Sequence, residues 1–380
     1  MVCLELMQSE GISPDVVTYI CILRACHDTK NIDMGKQIHE KITSGMLDDD
    51  IMLVTELVNM YANCGSLQKA QKVLEDSPVQ DLVAWNTLIA GYAENGQLYE
   101  ILNWCDSMKS EGIFADRVTF SSILKACGST VGLIEEGQKI HTEIAKDGLE
   151  VDPCIGISLL NMYAKCGFLR EAQEVFNKLS YHNVASWTAL MGAYGGQGNE
   201  EKTLTFFDEM QHNGVLPDTL VFVCSLKYCA RLGALGKGEE IYADIERRGF
   251  LGRGLVGNAI VSMYAKMGLL TKAAQVLGYL PKKDVVAWTS LMTGYVQHGE
   301  CDYVFSIFDK MVEDGITPDE VTFTIALHAC QYKGQLEKSH TYFDIMSREY
   351  GILPLHEHNA ILVNILGCLG QLYKAVEITN

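Results

Sequence analysis

An all-α solenoid of helical hairpins is the fold this sequence predicts. Three observations carry it: a long internal repeat, apolar residues at helical spacing within the repeat, and glycines where each first helix would end. Trp85, Trp187 and Trp288 follow one another at intervals of 102 and 101 residues. Nearly the same interval links Tyr61, Tyr163 and Tyr264, then Cys26, Cys127, Cys229 and Cys330, then Asp15, Asp116, Asp218 and Asp319. A solenoid unit packs only on its neighbours, so a single array over residues 1–380 needs no domain boundary, and no Pro-, Ser- or charge-rich linker interrupts the chain.

Cut after each recurrent acid or amide, the chain divides into units 16–50, 51–81, 82–116, 117–152, 153–183, 184–218, 219–253, 254–284, 285–319 and 320–355, flanked by partial units 1–15 and 356–380. Lengths of 35, 31 and 35 residues alternate, with one extra residue near Gly128 to Val131. Within a unit, Leu57, Val58, Met60 and Tyr61, then Val73 and Leu74, keep helical spacing on either side of the break Cys64-Gly65-Ser66. Glycines at 65, 96, 167, 198, 268, 299, 334 and 370 stand just past the first helix, where a left-handed C-cap favours Gly. Ala70, Ala172, Ala273 and Ala375 mark the second helix, and their size permits close helix contact. The helix-turn-helix is therefore the module.

Composition narrows the function classes. The net charge of −18 argues against non-specific polyanion binding, although a solenoid can keep its acids on the outer helices and its bases in the groove. The 13 cysteines follow the repeat, and no Cys-x-x-Cys occurs. Buried free thiols in a reducing compartment are expected, with no metal site. No apolar run reaches the roughly 18 residues that span a bilayer, so a soluble chain is expected. Residues 1–14 read as half of a repeat unit rather than as a targeting peptide.

Three phrases are specific: Asp-Leu-Val-Ala-Trp-Asn-Thr-Leu-Ile-Ala-Gly-Tyr at 81–92, Asn-Met-Tyr-Ala-Lys-Cys-Gly at 161–167 and Gly-Ile-Thr-Pro-Asp-Glu-Val-Thr-Phe at 315–323. They resemble the pentatricopeptide repeat family, and the order of long and short units resembles its P-L-S subclass, here without the C-terminal extension or deaminase domain. The resemblance covers essentially the whole chain. It implies a right-handed superhelix that binds single-stranded RNA at about one base per repeat, through the fifth residue of a unit's first helix and the unit's last residue. An amide offers a donor and an acceptor, a hydroxyl acts as either, and a carboxylate only accepts, so paired groups on a rigid helix distinguish base edges.

Carried onto this chain, the resemblance pairs Asn86 with Asp116 for uracil and, less strongly, cytosine. It pairs Ser121 with Asp152, Thr188 with Asp218 and Thr289 with Asp319 for guanine. The short units offer Thr55 with Asp81 and Asn258 with Asp284. Ile20, Ile157 and Val223 occupy the fifth position elsewhere and hold no hydrogen-bonding group, so specificity is expected to be sparse. The acids are equally expected as N-caps of the next helix. The second residue of each unit, which the family wedges between bases, is Val83, Val118, Ala185, Leu220, Leu255 or Val286, and packing along the groove explains an apolar side chain there as well. Arg24, Lys125 and Lys227 lie four residues after the fifth position, on its face of the helix. Lys165, Arg231 and Lys266 fall at the thirteenth position, which resembles the family's phosphate contact. Glu94 and Gly196 hold that position in two other units, so a modest basic stripe is expected.

Catalysis by this chain is not expected. His141-Thr142-Glu143 matches a deaminase His-x-Glu by letter only, without the following Pro-Cys-x-x-Cys, and reads as helix packing. His356-Glu357-His358 lacks a third ligand. The expected function is sequence-selective binding of an organellar transcript, in mitochondrion or chloroplast, serving RNA processing, editing or stabilisation without a cofactor. Editing cofactors or a deaminase acting in trans are implied partners, and uncapped ends suggest self-association. A protein-interaction scaffold and the targeting part of an editing factor remain alternatives.

Overall fold

The computed structural model describes residues 6–7, 10–45, 47, 50–78, 81–129, 134–368 and 370. Ala375 and residues 130–131 of the lengthened turn lie outside that set. The described residues form α-helices in antiparallel pairs, with short 3-10 turns at Leu149–Val151 and Phe250–Gly252 and no strand. Two compact units divide the chain, Met1–Ala193 and Tyr194–Asn380. None of the described helices is long and apolar enough to cross a membrane.

First helices start at Val16, Ile51, Leu82, Arg117, Pro153, Val184, Thr219, Gly254, Val285, Glu320 and His356. The residue before nine of them is an acid or amide that accepts a backbone N–H of the first turn: Asp15, Asp50, Asp81, Asp116, Asp152, Asn183, Asp218, Asp284 and Asp319. Each such cap contributes about 1 kcal/mol by satisfying an orphan donor. Arg253 supplies no side-chain cap to the helix that starts at Gly254. At the last start the roles reverse, and His358 Nδ1 accepts from the Leu355 N–H.

The turn into the second helix needs a left-handed residue. Gly167 (φ 86°) supplies it after Pro153–Cys166, and Gly334 (φ 62°) after Glu320–Lys333. The glycines at 65, 96, 198, 268, 299 and 370 share the positive φ. Second helices run 13 residues in the longer units, as in Leu98–Ser110, but 10 in the 31-residue units, as in Leu67–Asp76, Leu169–Lys178 and Leu270–Tyr279. Three of the four residues that separate the unit lengths are therefore lost from the second helix.

Each repeated residue fills one place in the core. Trp85, Trp187 and Trp288 are buried, and Trp104 meets Trp85 edge-on at 5.3 Å. Ala70, Ala172 and Ala273 are fully enclosed. A side chain at Gly35, Gly137 or Gly238 would run into the thioether of Met60, Met162 or Met263 respectively. A flexible methionine thus packs on a bare helix backbone at the same intervals of 102 and 101 residues. Cys26, Cys127, Cys229 and Cys330 are buried, and every described cysteine is free. Burial pushes the Cys127 and Cys229 thiols up to about 12, which keeps them protonated and unreactive.

Candidate nucleic-acid interface

In three places the acid that caps a first helix also meets the fifth residue of the preceding first helix. Asn86 Nδ2 donates to Asp116 Oδ1 at 3.1 Å, and Asn258 Nδ2 donates to Asp284 Oδ2 at 3.0 Å. Thr55 Oγ1 reaches Asp81 Oδ1 at 3.4 Å, while also donating to the Ile51 carbonyl at 2.8 Å. The remaining hydroxyls turn elsewhere. Thr289 donates to the Val285 carbonyl at 2.9 Å and makes no bond to Asp319, and Thr188 donates to the Val184 carbonyl at 2.7 Å. Ser121 accepts from Ser158 at 3.1 Å and is not bonded to Asp152, whose carboxylate caps Cys154 and Ile155. Asp218 caps Val221, and Asp319 closes a capping box with Thr322.

One participant was not singled out in the sequence. Thr119, fully buried, donates from Oγ1 to Asn86 Oδ1 at 2.6 Å and lies 3.0 Å from Asp116 Oδ1. Burial alone would raise the Asp116 pKa, but hydrogen bonds from Thr119, Asn86 and Val118 outweigh it and hold the carboxyl below its ordinary value. Thr119 is the third residue of the following unit, so nothing within unit 82–116 signals it. The equivalent place after Asp284 is Ala287, and Asn258 Oδ1 is buried there without a partner.

The second residue of each unit faces solvent rather than packing. Val83 and Val118 in the first compact unit and Leu220, Leu255 and Val286 in the second are 48–62% exposed, and Ala185 is exposed too. Val17, Met52 and Val321, at the same register, are equally open and extend the row within their own units. Single exposed apolar residues are ordinary, but one at the same place in successive units forms a periodic edge. Each sits three residues before a fifth position, so the pair shares a helix face. In the first compact unit, Val83, Asn86, Asp116 and Val118 line an open concavity of about 790 Å³. Val118, Ser121, Lys125 and Lys165 line another of about 580 Å³.

The basic positions separate into two groups. Arg24 is bound to Glu56 at 2.6 Å, Lys125 to Glu94 at 3.2 Å and Arg231 to Glu200 at 3.2 Å. Lys165, Lys227 and Lys266 are exposed and make no ion pair among the described residues. Glu94, itself at a thirteenth position, thus turns from a missing base into the counter-charge of Lys125.

The histidines hold the scaffold. His141 contacts Tyr163 Oη at 2.8 Å and Glu150 Oε1 at 3.0 Å, and His39 repeats the tyrosine contact with Tyr61 at 3.1 Å. His358 is buried and bonded to Thr324 Oγ1 at 2.9 Å. No group of three or more potential metal ligands occurs among the described residues.

Family models place these helices. The PPR repeat family matches residues 80–129 and 283–331, the pentatricopeptide repeat domain residues 2–46, and the PPR repeat residues 157–184 and 185–215. A putative pentatricopeptide repeat-containing protein of Arabidopsis thaliana is 31% identical over 98% of this chain and 68% of its own length. The chain belongs to the pentatricopeptide repeat family. A putative mitochondrial pentatricopeptide protein of the same plant is 33% identical over 98% of the chain and 60% of its own length, and another pentatricopeptide protein is 33% identical over 54% of its length. The chain thus spans between half and two thirds of those two relatives. Among solved structures, maize PPR10 in complex with an 18-nucleotide psaJ RNA element matches with a TM-score of 0.58 and 17% identity, over all of this chain and 65% of PPR10. Yeast Rmd9p in complex with a 16-nucleotide target RNA matches with a TM-score of 0.54 and 12% identity, over 96% of this chain and 86% of Rmd9p. At such identities the likeness establishes the pentatricopeptide α-solenoid fold.

Proposed function

We propose that this pentatricopeptide protein binds single-stranded RNA sequence-selectively and acts by occupancy in the processing, editing or stabilisation of organellar transcripts. The observation that carries the proposal is the periodic edge of exposed apolar second residues, each three residues from a fifth position, with Asn86 and Asn258 bonded to the acids that end their units. Apolar side chains that remain in water at a fixed period suit insertion between stacked bases, and the amide–acid pairs suit recognition of base edges. Asn86 with Asp116 and Asn258 with Asp284 are assigned to pyrimidines. Ser121 with Asp152, Thr188 with Asp218 and Thr289 with Asp319 are assigned to guanine, and Thr55 with Asp81 to a weaker position.

Lys165, Lys227 and Lys266 are the proposed phosphate contacts, because their charges are uncommitted. Second helices of 13 and 10 residues support a P-L-S arrangement, read as a single array. The mitochondrial naming of relatives supports an organellar setting, in which editing cofactors or a deaminase in trans are the candidate protein partners. Selection from a randomised RNA pool at low salt tests the proposal. A motif with pyrimidine and guanine positions at the assigned spacing is expected, binding less tightly as salt rises. No enrichment, with equal affinity for guanine-containing and poly-adenine oligomers, would leave a protein-interaction scaffold as the better account.

A further inference from the structure

We infer that Asn161 is a specificity-determining residue that recognises the sugar rather than the base: its amide hydrogen-bonds a ribose 2′-hydroxyl, so the chain prefers RNA to DNA of the same base sequence. The inference rests on the RNA-binding proposal and deepens it.

Unit 153–183 holds Ile157 at its fifth position, so its first helix, Pro153–Cys166, offers no hydrogen-bonding side chain there. Polar groups follow it instead. Ser158, Asn161 and Lys165 succeed one another at spacings of three and four residues, which puts them on one face of the helix. All three line the concavity of about 580 Å³ that also holds Ser121 and Lys125. Ser158 is tied to Ser121 at 3.1 Å. Asn161 is exposed, and its side-chain amide bonds to no other described residue.

Height along the helix selects the sugar. The base edge is assigned to the level of Ser121 and Ser158, and the phosphate to Lys165, about 10 Å further along the helix axis. Asn161 stands between them. In every nucleotide the ribose joins base to phosphate, so the group that faces Asn161 is the sugar. The 2′-hydroxyl both donates and accepts, and it is what separates RNA from DNA. A side-chain amide carries both complements, whereas a phosphate only accepts and would leave the amide oxygen unmatched. No carboxylate among the described residues lines the concavity, so a sugar–phosphate strand can approach it even in a chain of net charge −18. Asn59 and Ser262 hold the same ninth place, which gives each of the three 31-residue units a neutral polar side chain there, whereas Ala90 and Gly192 offer none.

The test uses the full chain and the oligonucleotide most enriched from the randomised RNA pool. It is made as RNA, as the all-2′-deoxy strand with deoxyuridine for uridine, and as RNA carrying one 2′-deoxynucleotide at each position in turn. Wild type is expected to bind the RNA more tightly than the all-deoxy strand. In the single-deoxy scan it is expected to lose about five-fold within one nucleotide of the guanine assigned to Ser121. Asn161→Ala should melt as wild type does, since the side chain is exposed and unbonded. It is expected to bind the RNA about five-fold more weakly and to become indifferent to the sugar at that position, with base preferences and salt slope unchanged. Lys165→Ala is expected to do the reverse, lowering the salt slope and keeping the sugar sensitivity. A flat deoxy scan in wild type, or an Asn161→Ala scan with the wild-type profile, overturns the inference and leaves RNA binding intact. A lower salt slope or altered base preference in Asn161→Ala also overturns it, by assigning the amide to phosphate or base. Absence of any enriched sequence removes the RNA-binding proposal and this inference together.

Discussion

Unit 82–116 and unit 254–284 carry the same amide and the same acid at matching places, yet the two sites are not chemically equal. Around Asn86 both ends of the amide are engaged, the amino group by Asp116 on one side and the carbonyl oxygen by Thr119 on the other. Around Asn258 the acid is present and the hydroxyl is missing, so a carbonyl oxygen stays buried without a donor. The difference teaches that the bonding of an amide–acid pair is set by three residues rather than two. The third comes from the next helix, and it decides whether the amide oxygen has a donor.

The largest expected effect separates the two acids. Asp116→Ala removes a helix cap that also holds Asn86 and Thr119, and a loss of about 2–3 kcal/mol is expected. Asp284→Ala removes a cap and one amide contact, with an expected loss of about 1–2 kcal/mol. Urea unfolding of both variants measures the gap, and equal losses would erase the contrast between the sites. Next comes Thr119→Val, expected to cost about 1–2 kcal/mol because the Asn86 carbonyl is then buried unpaired. Ala287→Thr is expected to be neutral or to stabilise by up to about 1 kcal/mol. A stabilising Thr119→Val would show that the hydroxyl is strained rather than satisfied.

A pH dependence is expected at the first site. The Asp116 carboxyl is held below its ordinary 3.8, so its contribution is fully present above that value and is lost as pH falls through the lower folded one. The stability advantage of wild type over Asp116→Asn should therefore shrink as pH falls below 3.8. An advantage that grows on acidification would contradict the bonding described. The smallest effect concerns charge. Lys165→Ala should lower the salt slope of RNA binding by about one unit, and Lys125→Ala by less, because Lys125 is already committed to Glu94. Equal slopes for the two variants would mean that the Glu94 contact opens when RNA binds.

The sequence made the hairpins legible because their signals are local. An acid three residues before a backbone N–H, or a glycine just past a helical run, specifies geometry within one turn, as at Asp319 and Gly334. Register did the same for the exposed edge, although Val17, Met52 and Val321 belong beside the six residues first singled out. The repeat equivalence of His39 with His141, and of Tyr61 with Tyr163, became paired contacts between neighbouring units. The pairing of the basic positions was not legible in the same way. Arg24, Lys125 and Arg231 each meet a glutamate some 31 or 32 residues away in sequence, and no spacing rule within a unit anticipates such partners.

The division between the two sources of information is therefore one of range. Sequence alone determined the period, the helical hairpin, the caps and the turn glycines, since each depends on backbone preferences and hydrogen bonds within about four residues. Tertiary structure decided which polar groups stay free. It brought Thr119 to Asn86 across 33 residues, left Asn258 with Ala287, and matched some bases with acids while leaving Lys165 without an ion pair among the described residues. Hydrogen-bond donors and acceptors are shared out among whichever side chains the packing gathers, and that allocation is settled only when neighbouring units meet.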